Sequence, residues 1–246
     1  MEVNPNITPK GISLEEIREI AKRNSDEVRL FKIDCRGHKI PIVALPGVYF
    51  SENFGDSQYF AEKVPDFVNG RFLEIGAGTG IVVIATALKN GEYFIKNLGG
   101  PYVAIDINPQ AVKNAIINAM INDVGDAIDV IEGDVFDPLS CVEDKFDRIF
   151  WAHPFHRGST YEDIFQRACF DPLFQGLKKY VKDGYRLLNK GGKLLLGSGN
   201  FADLDEMRKI MNKYGCAMNL LDYIHRPFNG KCGELNTYNI YEIRRK

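Results

Sequence analysis

The sequence has little that would tie it to a membrane, an oxidising compartment or a polyanion. No stretch approaches the ~20 apolar residues that a bilayer span needs. Met1 leads into Glu2, Asn4, Pro5 and Asn6 without the apolar segment of a secretory signal. The five cysteines (Cys35, Cys141, Cys169, Cys216 and Cys232) are odd in number, scattered and never in a C-x-x-C pair. That argues against a disulfide framework and a structural zinc site, and the thiols are expected to be reduced and mostly buried. An excess of one charge is missing too: 31 basic against 33 acidic side chains leave a formal −2, so no global field draws the chain toward nucleic acid. These absences predict a cytoplasmic protein. What is present is 246 residues with 45% hydrophobic content, enough for one large α/β domain with a sizeable core and a small N-terminal addition.

The most informative stretch is Arg71 to Gly80, where the apolar Phe72, Leu73 and Ile75 break into glycines at 76, 78 and 80 before the apolar segment Ile81 to Leu88. The pattern predicts a strand, a tight turn and a helix start. Glycine permits positive φ and close approach of a ligand, and free N–H groups at a helix start add a polar face. Glu74 ends the strand, and Asp106 ends the next apolar run, Tyr102 to Ile105, 30 residues beyond Gly76. Neither that interval nor the G-x-G-x-G spacing is that of the dinucleotide fingerprint.

Elsewhere the chain alternates. Ser13 and Glu16 form a capping-box signature for an amphipathic helix carrying Leu14, Ile17, Ile20 and Ala21, and the runs Val28 to Ile33 and Ile40 to Leu45 predict a hairpin. The hairpin and helix are expected to cover one side of a ligand cleft. Gly47 to Ser51 leads to a helix capped by Asp56 or Ser57. The helix from Ile81 is expected to stop at Asn90-Gly91, and Asn108-Pro109 starts another whose Ala111, Val112, Ala115, Ile116, Ala119 and Met120 share a face. Strands are expected at Ile128 to Ile131, Phe146 to Trp151 and the Leu-rich, doubly buried Lys193 to Gly197. Helices are expected over Tyr161 to Ala168, Leu173 to Leu188 and Asp203 to Tyr214, and a closing antiparallel pair over Ala217 to Ile224 and Thr237 to Ile243.

The acidic-x-G-x-G-x-G pattern resembles the first motif of the class I S-adenosylmethionine-dependent methyltransferases. Gly47-Val48-Tyr49-Phe50-Ser51 with Asp56-Ser57, and Asp106-Ile107-Asn108-Pro109 running to Asn118-Ala119, are similar to motifs of the branch acting on ribosomal RNA guanines and release-factor glutamines. The resemblance covers about residues 46 to 244. It implies a seven-stranded, mostly parallel, doubly wound α/β sheet over 46–246, with 1–45 as the covering segment. It further implies S-adenosylmethionine as cofactor and S-adenosylhomocysteine as product. Gly76, Ala77, Gly78 and Gly80 would pack on the amino-acid part of the cofactor, Asp106 and Ile107 at the ribose, Asp134 and Val135 at the adenine, with Ala152 alongside. Glu74 would orient the loop or the ammonium.

In that branch the fourth strand runs into Asn-Pro-Pro-Phe-His-x-Gly. Here the loop reads Ala152-His153-Pro154-Phe155-His156-Arg157-Gly158, so Ala152 stands where an asparagine would accept a hydrogen bond from the substrate's amino group. Methyl transfer from a sulfonium depends mainly on alignment, and positioning supplies on the order of ~7–11 kcal/mol. An acidic N–H or O–H nucleophile also needs a proton acceptor, for which His153 and His156 are candidates, while Phe155 would stack on a planar acceptor. Two histidines three apart lack further signposted ligands, so no metal is expected. The neutral charge and the missing asparagine favour a small planar acceptor methylated on nitrogen or oxygen. A ribosomal RNA or translation-protein acceptor, and a cofactor-binding but silent partner subunit, are the alternatives.

Overall fold

The computed structural model describes residues 26–35, 37–50, 55–97, 102–141, 143, 145–158, 164–227 and 235–246. The predicted helix at Ser13 to Arg23 and Cys232 lie outside them. A hairpin of β1 (Arg29–Cys35) and β2 (His38–Ala44) precedes the main sheet. Helix α1 (Asp56–Phe67) leads to β3 (Phe72–Ile75), α2 (Ile81–Asn97), β4 (Tyr102–Asp106), α3 (Pro109–Ile121), β5 (Ile128–Glu132) and β6 (Phe146–Ala152). Then come α4 (Gln175–Asp183), β7 (Leu188–Gly199), α5 (Leu204–Lys213), β8 (Cys216–Pro227) and β9 (Leu235–Arg245). The seven strands lie in the order β5-β4-β3-β6-β7-β9-β8, parallel through β7, with β9 antiparallel to both β7 and β8.

Strand alternation builds a core on each face of this sheet. Phe72, Ala104, Phe150 and Leu195 face α1 and α2, whereas Leu73, Ile105, Ile149 and Leu196 face α4 and α5. The hairpin contributes Ile33, Ile40, Ile42 and Ala44 to the first of these cores. Three asparagines one helical turn apart, Asn114 and Asn118 on α3 and Asn122 at its C-cap, hold β2 to it. Asn114 Oδ1 accepts from Leu45 N (2.9 Å), Asn118 Oδ1 accepts from Val43 N (2.8 Å), and Asn122 Nδ2 donates to Pro41 O (2.9 Å). These bonds satisfy the free main-chain edge of β2 as a third strand would.

Several elements depart from the sequence reading. Helix α2 runs through Asn90-Gly91 to Asn97, so the stop signal there is overridden. Of the stretch Leu173 to Leu188 only Gln175–Asp183 is α-helix; Pro172–Phe174 and Gly184–Leu187 wind as 3₁₀ turns, and β7 begins at Leu188. Of Tyr161 to Ala168, the described part is a 3₁₀ turn, Ile164–Ala168. On α3 the core face is Ala111, Asn114, Ala115, Asn118 and Ala119, so Ile116 and Met120 point outward. Cys169 and Cys216 are buried as expected, but Cys141 is exposed and Cys35 half-buried. No helix among the described residues is long and apolar enough to cross a membrane.

Candidate functional site

A cavity opens at the carboxyl ends of the parallel strands, where ligands bind in open α/β sheets. It is lined by Glu74, Gly76, Ala77, Gly78, Asp106, Ile107, Asp134, Val135, Ala152, His153, Phe155 and His156, which brings together every expected site residue but Gly80. None of the described hairpin residues lines it; on that side the described wall starts at Tyr49. Gly80 has another task. At φ +79° it lets α2 start against α3, and a Cβ there would lie 3.0 Å from Ala115 Cβ.

The glycine loop supplies shape more than donors. Gly76 N and Ala77 N donate to Ile105 O (2.7 and 3.2 Å), Gly78 N to Asp106 Oδ2 (2.8 Å) and Gly80 N to Ala77 O (2.8 Å). What glycine provides is a concave backbone: at Gly76, φ +65°, a Cβ would fall 2.9 Å from Trp151 Nε1. Trp151 is therefore cavity wall, although its place in an apolar strand reads as core.

The carboxylates differ in their duties. Glu74 is buried and accepts from Val83 N at 2.8 Å, tying the strand end to the first turn of α2. Burial raises its carboxyl well above the usual range, and the neighbouring Asp106 adds to this. Asp106 receives Gly78 N on Oδ2 and Asn108 N on Oδ1, both at 2.8 Å, and burial raises it as well. Each oxygen keeps a lone pair for a hydroxyl donor, so a diol fits beside it. Asp134, half-exposed, pairs with Arg167 at 3.1 Å at the rim. Val135 next to it holds φ +54°, a conformation that β-branched residues avoid, which bends the main chain at the cavity wall.

The loop after β6 contains a dyad that the sequence did not signal. His153 Nε2 lies 2.9 Å from Asp171 Oδ2 with both side chains buried. Asp171 also accepts from Gly176 N and Leu177 N, each at 2.9 Å. Burial alone would raise the Asp171 carboxyl, but the bonds and charge from His153 and the two amides outweigh it and hold it below the usual range. An ionised acceptor there fixes the histidine tautomer with hydrogen on Nε2. The remaining ring nitrogen, Nδ1, is buried with no partner among the described residues. Leu173 and Phe174 beside this dyad both take positive φ (+54° and +53°), and Phe174 packs on the His153 ring at 5.3 Å.

His156 is a different group. Burial, then repulsion from His153, pushes it down to about 4, so it stays neutral and is a weak base. Its main chain instead closes a bridge to Phe170. The expectation of a proton acceptor thus falls on His153 rather than His156. Phe155 is half-buried, 6.1 Å from the Tyr238 ring.

Asp56 is the other group missed. Gly55, at φ +69°, occupies the N-cap of α1, and Asp56 is the first helical residue, turned into the cavity. Oδ1 accepts from Ser57 N at 2.8 Å, while Oδ2 reaches the Tyr49 hydroxyl at 3.5 Å. Burial lifts it to about 6, and the Cys169 thiol is pushed up to about 12 by its own burial and then by the Asp56 charge.

Comparison with known proteins supplies the remaining findings. The model of the methyltransferase small domain matches residues 39–218. The chain is 35% identical over 216 residues to a Methanocaldococcus jannaschii protein assigned as a protein N5-glutamine methyltransferase, covering 86% of this chain and 99% of that one. It is 21% identical over 184 residues to ribosomal RNA small subunit methyltransferase C of Psychromonas ingrahamii, but spans only 46% of that relative's length. Among solved structures, Methanocaldococcus jannaschii Trm5 in complex with adenosine superposes with a TM-score of 0.57 at 20% identity, over 90% of this chain and 58% of the other. A ribosomal protein L11 methylase of Lactobacillus delbrueckii gives 0.51 at 17%, over 82% and 84%. At such identities the structural likeness is one of fold. The expectation of a small planar acceptor is overturned, because the relatives are named for ribosomal RNA, protein glutamine and ribosomal protein.

Proposed function

We propose, for a chain that belongs to the methyltransferase small domain family and is an S-adenosylmethionine-dependent methyltransferase, that its acceptor is the side-chain amide nitrogen of a glutamine in a protein. One observation carries this reading: the relative assigned as a protein N5-glutamine methyltransferase is matched over 99% of its length, whereas the ribosomal RNA relative is matched over less than half. The electrostatics agree with it. Among the described residues lining the cavity Arg167 is the one Lys or Arg, and it is paired with Asp134. A phosphate backbone would find no cluster of cations there.

The cofactor supplies an electrophilic methyl group on a sulfonium. For its binding, the concave backbone of Gly76, Ala77 and Gly78 admits the amino-acid part, with Glu74 bracing the loop from behind. Asp106 accepts from the ribose hydroxyls with Ile107 beside them, and Asp134 and Val135 border the adenine. On the acceptor side the amide nitrogen has a delocalised lone pair and must shed a proton as its bond to the methyl carbon forms. Ala152 has no side-chain oxygen for the amide hydrogens, so its main-chain carbonyl and the Asp56 carboxylate take them. His153, fixed by Asp171, receives the released proton on Nδ1, and Phe155 packs on the flat amide.

The test is transfer of a labelled methyl group from S-adenosylmethionine to separated protein and RNA fractions of the host. Label that survives nuclease, is lost with protease and maps to a glutamine side chain is the expected result. Label confined to nuclease-sensitive material overturns the proposal.

A further inference from the structure

Away from the cavity, α3 turns apolar residues to solvent. Ile116, Ile117, Met120 and Ile121 are 43%, 39%, 67% and 45% exposed. At 3.6 residues per turn they share one arc, opposite the buried Ala111, Ala115 and Ala119. The sheet ends at the same place. β5 pairs with β4 on one side and with no strand on the other among the described residues, which leaves a row of main-chain donors and acceptors. Patch and edge adjoin, because a Cβ at Gly125 would lie 3.5 Å from Met120 Cγ, and the turn Gly125–Ala127 runs directly into β5. The edge carries no lysine, proline or bulge of the kind that guards exposed strands. Its polar rim is mainly acidic: Asp123, Asp126, Asp129 and Glu132 are all exposed, with Lys113 as an exposed cation one turn before Ile116 and Ile117 on α3.

We propose that β5 and the outer face of α3 form the docking surface for a second, different protein. That partner adds a strand to β5, covers Ile116, Ile117, Met120 and Ile121 with apolar side chains, and sets Lys or Arg against the four carboxylates. Main-chain pairing along an open edge supplies affinity, and the flanking apolar side chains supply specificity. The rim decides between occupants. A second copy paired β5 to β5 about a two-fold axis would bring a second set of the same four carboxylates to one seam, and gathered like charges repel. RNA would meet the same acidic rim. The surface lies outside the cavity wall, so it stands independently of the acceptor.

The test uses the full chain, tagged and expressed in its host, beside Met120→Lys and Asp129→Lys. Met120 is largely exposed, so lysine is accommodated there, and unchanged S-adenosylmethionine affinity by calorimetry establishes that each variant is folded. Proteins retained by the wild type and lost from Met120→Lys are identified, and the pair is purified by co-expression. The expected result is a basic partner whose affinity falls roughly tenfold or more with either substitution, and slowed amide hydrogen exchange at Asp129–Glu132 in the pair. The proposal is overturned by retention insensitive to both substitutions, by the absence of any Met120-dependent partner, or by a pair whose formation leaves β5 exchange unchanged. A Met120-dependent dimer of the purified chain also overturns it.

Discussion

Replacing Asp171 with asparagine separates a proton-accepting dyad from a merely structural pair. The carboxylate accepts from His153 Nε2, Gly176 N and Leu177 N, each at 2.9 Å. An amide of the same shape offers one oxygen and turns an NH₂ toward the remaining donors. If the amide oxygen keeps Gly176 N, the NH₂ takes the place of Oδ2 against Leu177 N and His153 Nε2, and the imidazole must then give up its hydrogen there and become the acceptor. The hydrogen moves to Nδ1, the atom that should receive the acceptor's proton. Loss of a positioned proton acceptor costs about 10²–10⁴-fold in rate, or about 2.7–5.4 kcal/mol of activation free energy. The effect should fall on kcat, and S-adenosylmethionine affinity should hold, because Asp171 braces the acceptor loop rather than the glycine loop. Breaking a buried charge pair also destabilises by roughly 2–5 kcal/mol. At about 2–4 °C per kcal/mol for a chain of this size, the melting temperature should drop by roughly 4–20 °C. Labelled-methyl transfer to the protein fraction, calorimetry and a thermal melt measure the three quantities. A variant that melts early but turns over within about twofold of wild type would refute the dyad's chemical role and leave it a scaffold.

Further outcomes follow from the same geometry. Gly76→Ala places a Cβ 2.9 Å from Trp151 Nε1 at φ +65°, so it should weaken S-adenosylmethionine by roughly tenfold or more in a calorimetric titration. Gly80→Ala meets Ala115 at 3.0 Å outside the cavity, so it should lower the melting temperature while the folded fraction binds the cofactor normally. His156→Gln should retain most of the activity near neutral pH, because a ring held at about 4 is not the proton acceptor; a loss as deep as that of His153→Ala, in a variant that still binds the cofactor, would reverse the assignment.

How much of this was legible in the sequence varies with the range of the signal. The glycine loop and Asp106 stand out because the acid ends an apolar run, and strand ends are where a parallel sheet gathers its ligand groups, whereas Asp134, two residues past β5, is indicated by the family resemblance alone. The Asp171 partnership could not, since 18 positions separate it from His153 and nothing local distinguishes Asp171 from a turn aspartate. Trp151 was hidden for the opposite reason: an indole in an apolar strand looks like core, and only its approach to Gly76 shows it as wall. The outward face of α3 was misjudged because Ile116 and Met120 do recur at helical spacing. The asparagines that hold β2 took the inward positions which hydrophobicity would have given to those two.

Asp56 was misread as a helix cap because helix starts favour aspartate, and its burial makes a pH-dependent prediction. Its pKa rises from an ordinary 3.8 to about 6 in the folded chain. Between these values the native state binds more protons than the unfolded one, so stability falls as pH rises through the window and levels off above about 6. A rise of that size corresponds to on the order of 2–3 kcal/mol. Asp56→Asn removes that loss, so its melting temperature should match wild type near pH 4 and exceed it increasingly up to about pH 6.5. If Asp56 accepts from the acceptor amide, the same variant should lose methyl transfer, because its NH₂ can turn a donor toward the substrate's own donors. A stabilised variant with reduced transfer is the signature of a group kept for chemistry at the expense of folding. A stabilised variant of full activity would remove Asp56 from the acceptor site.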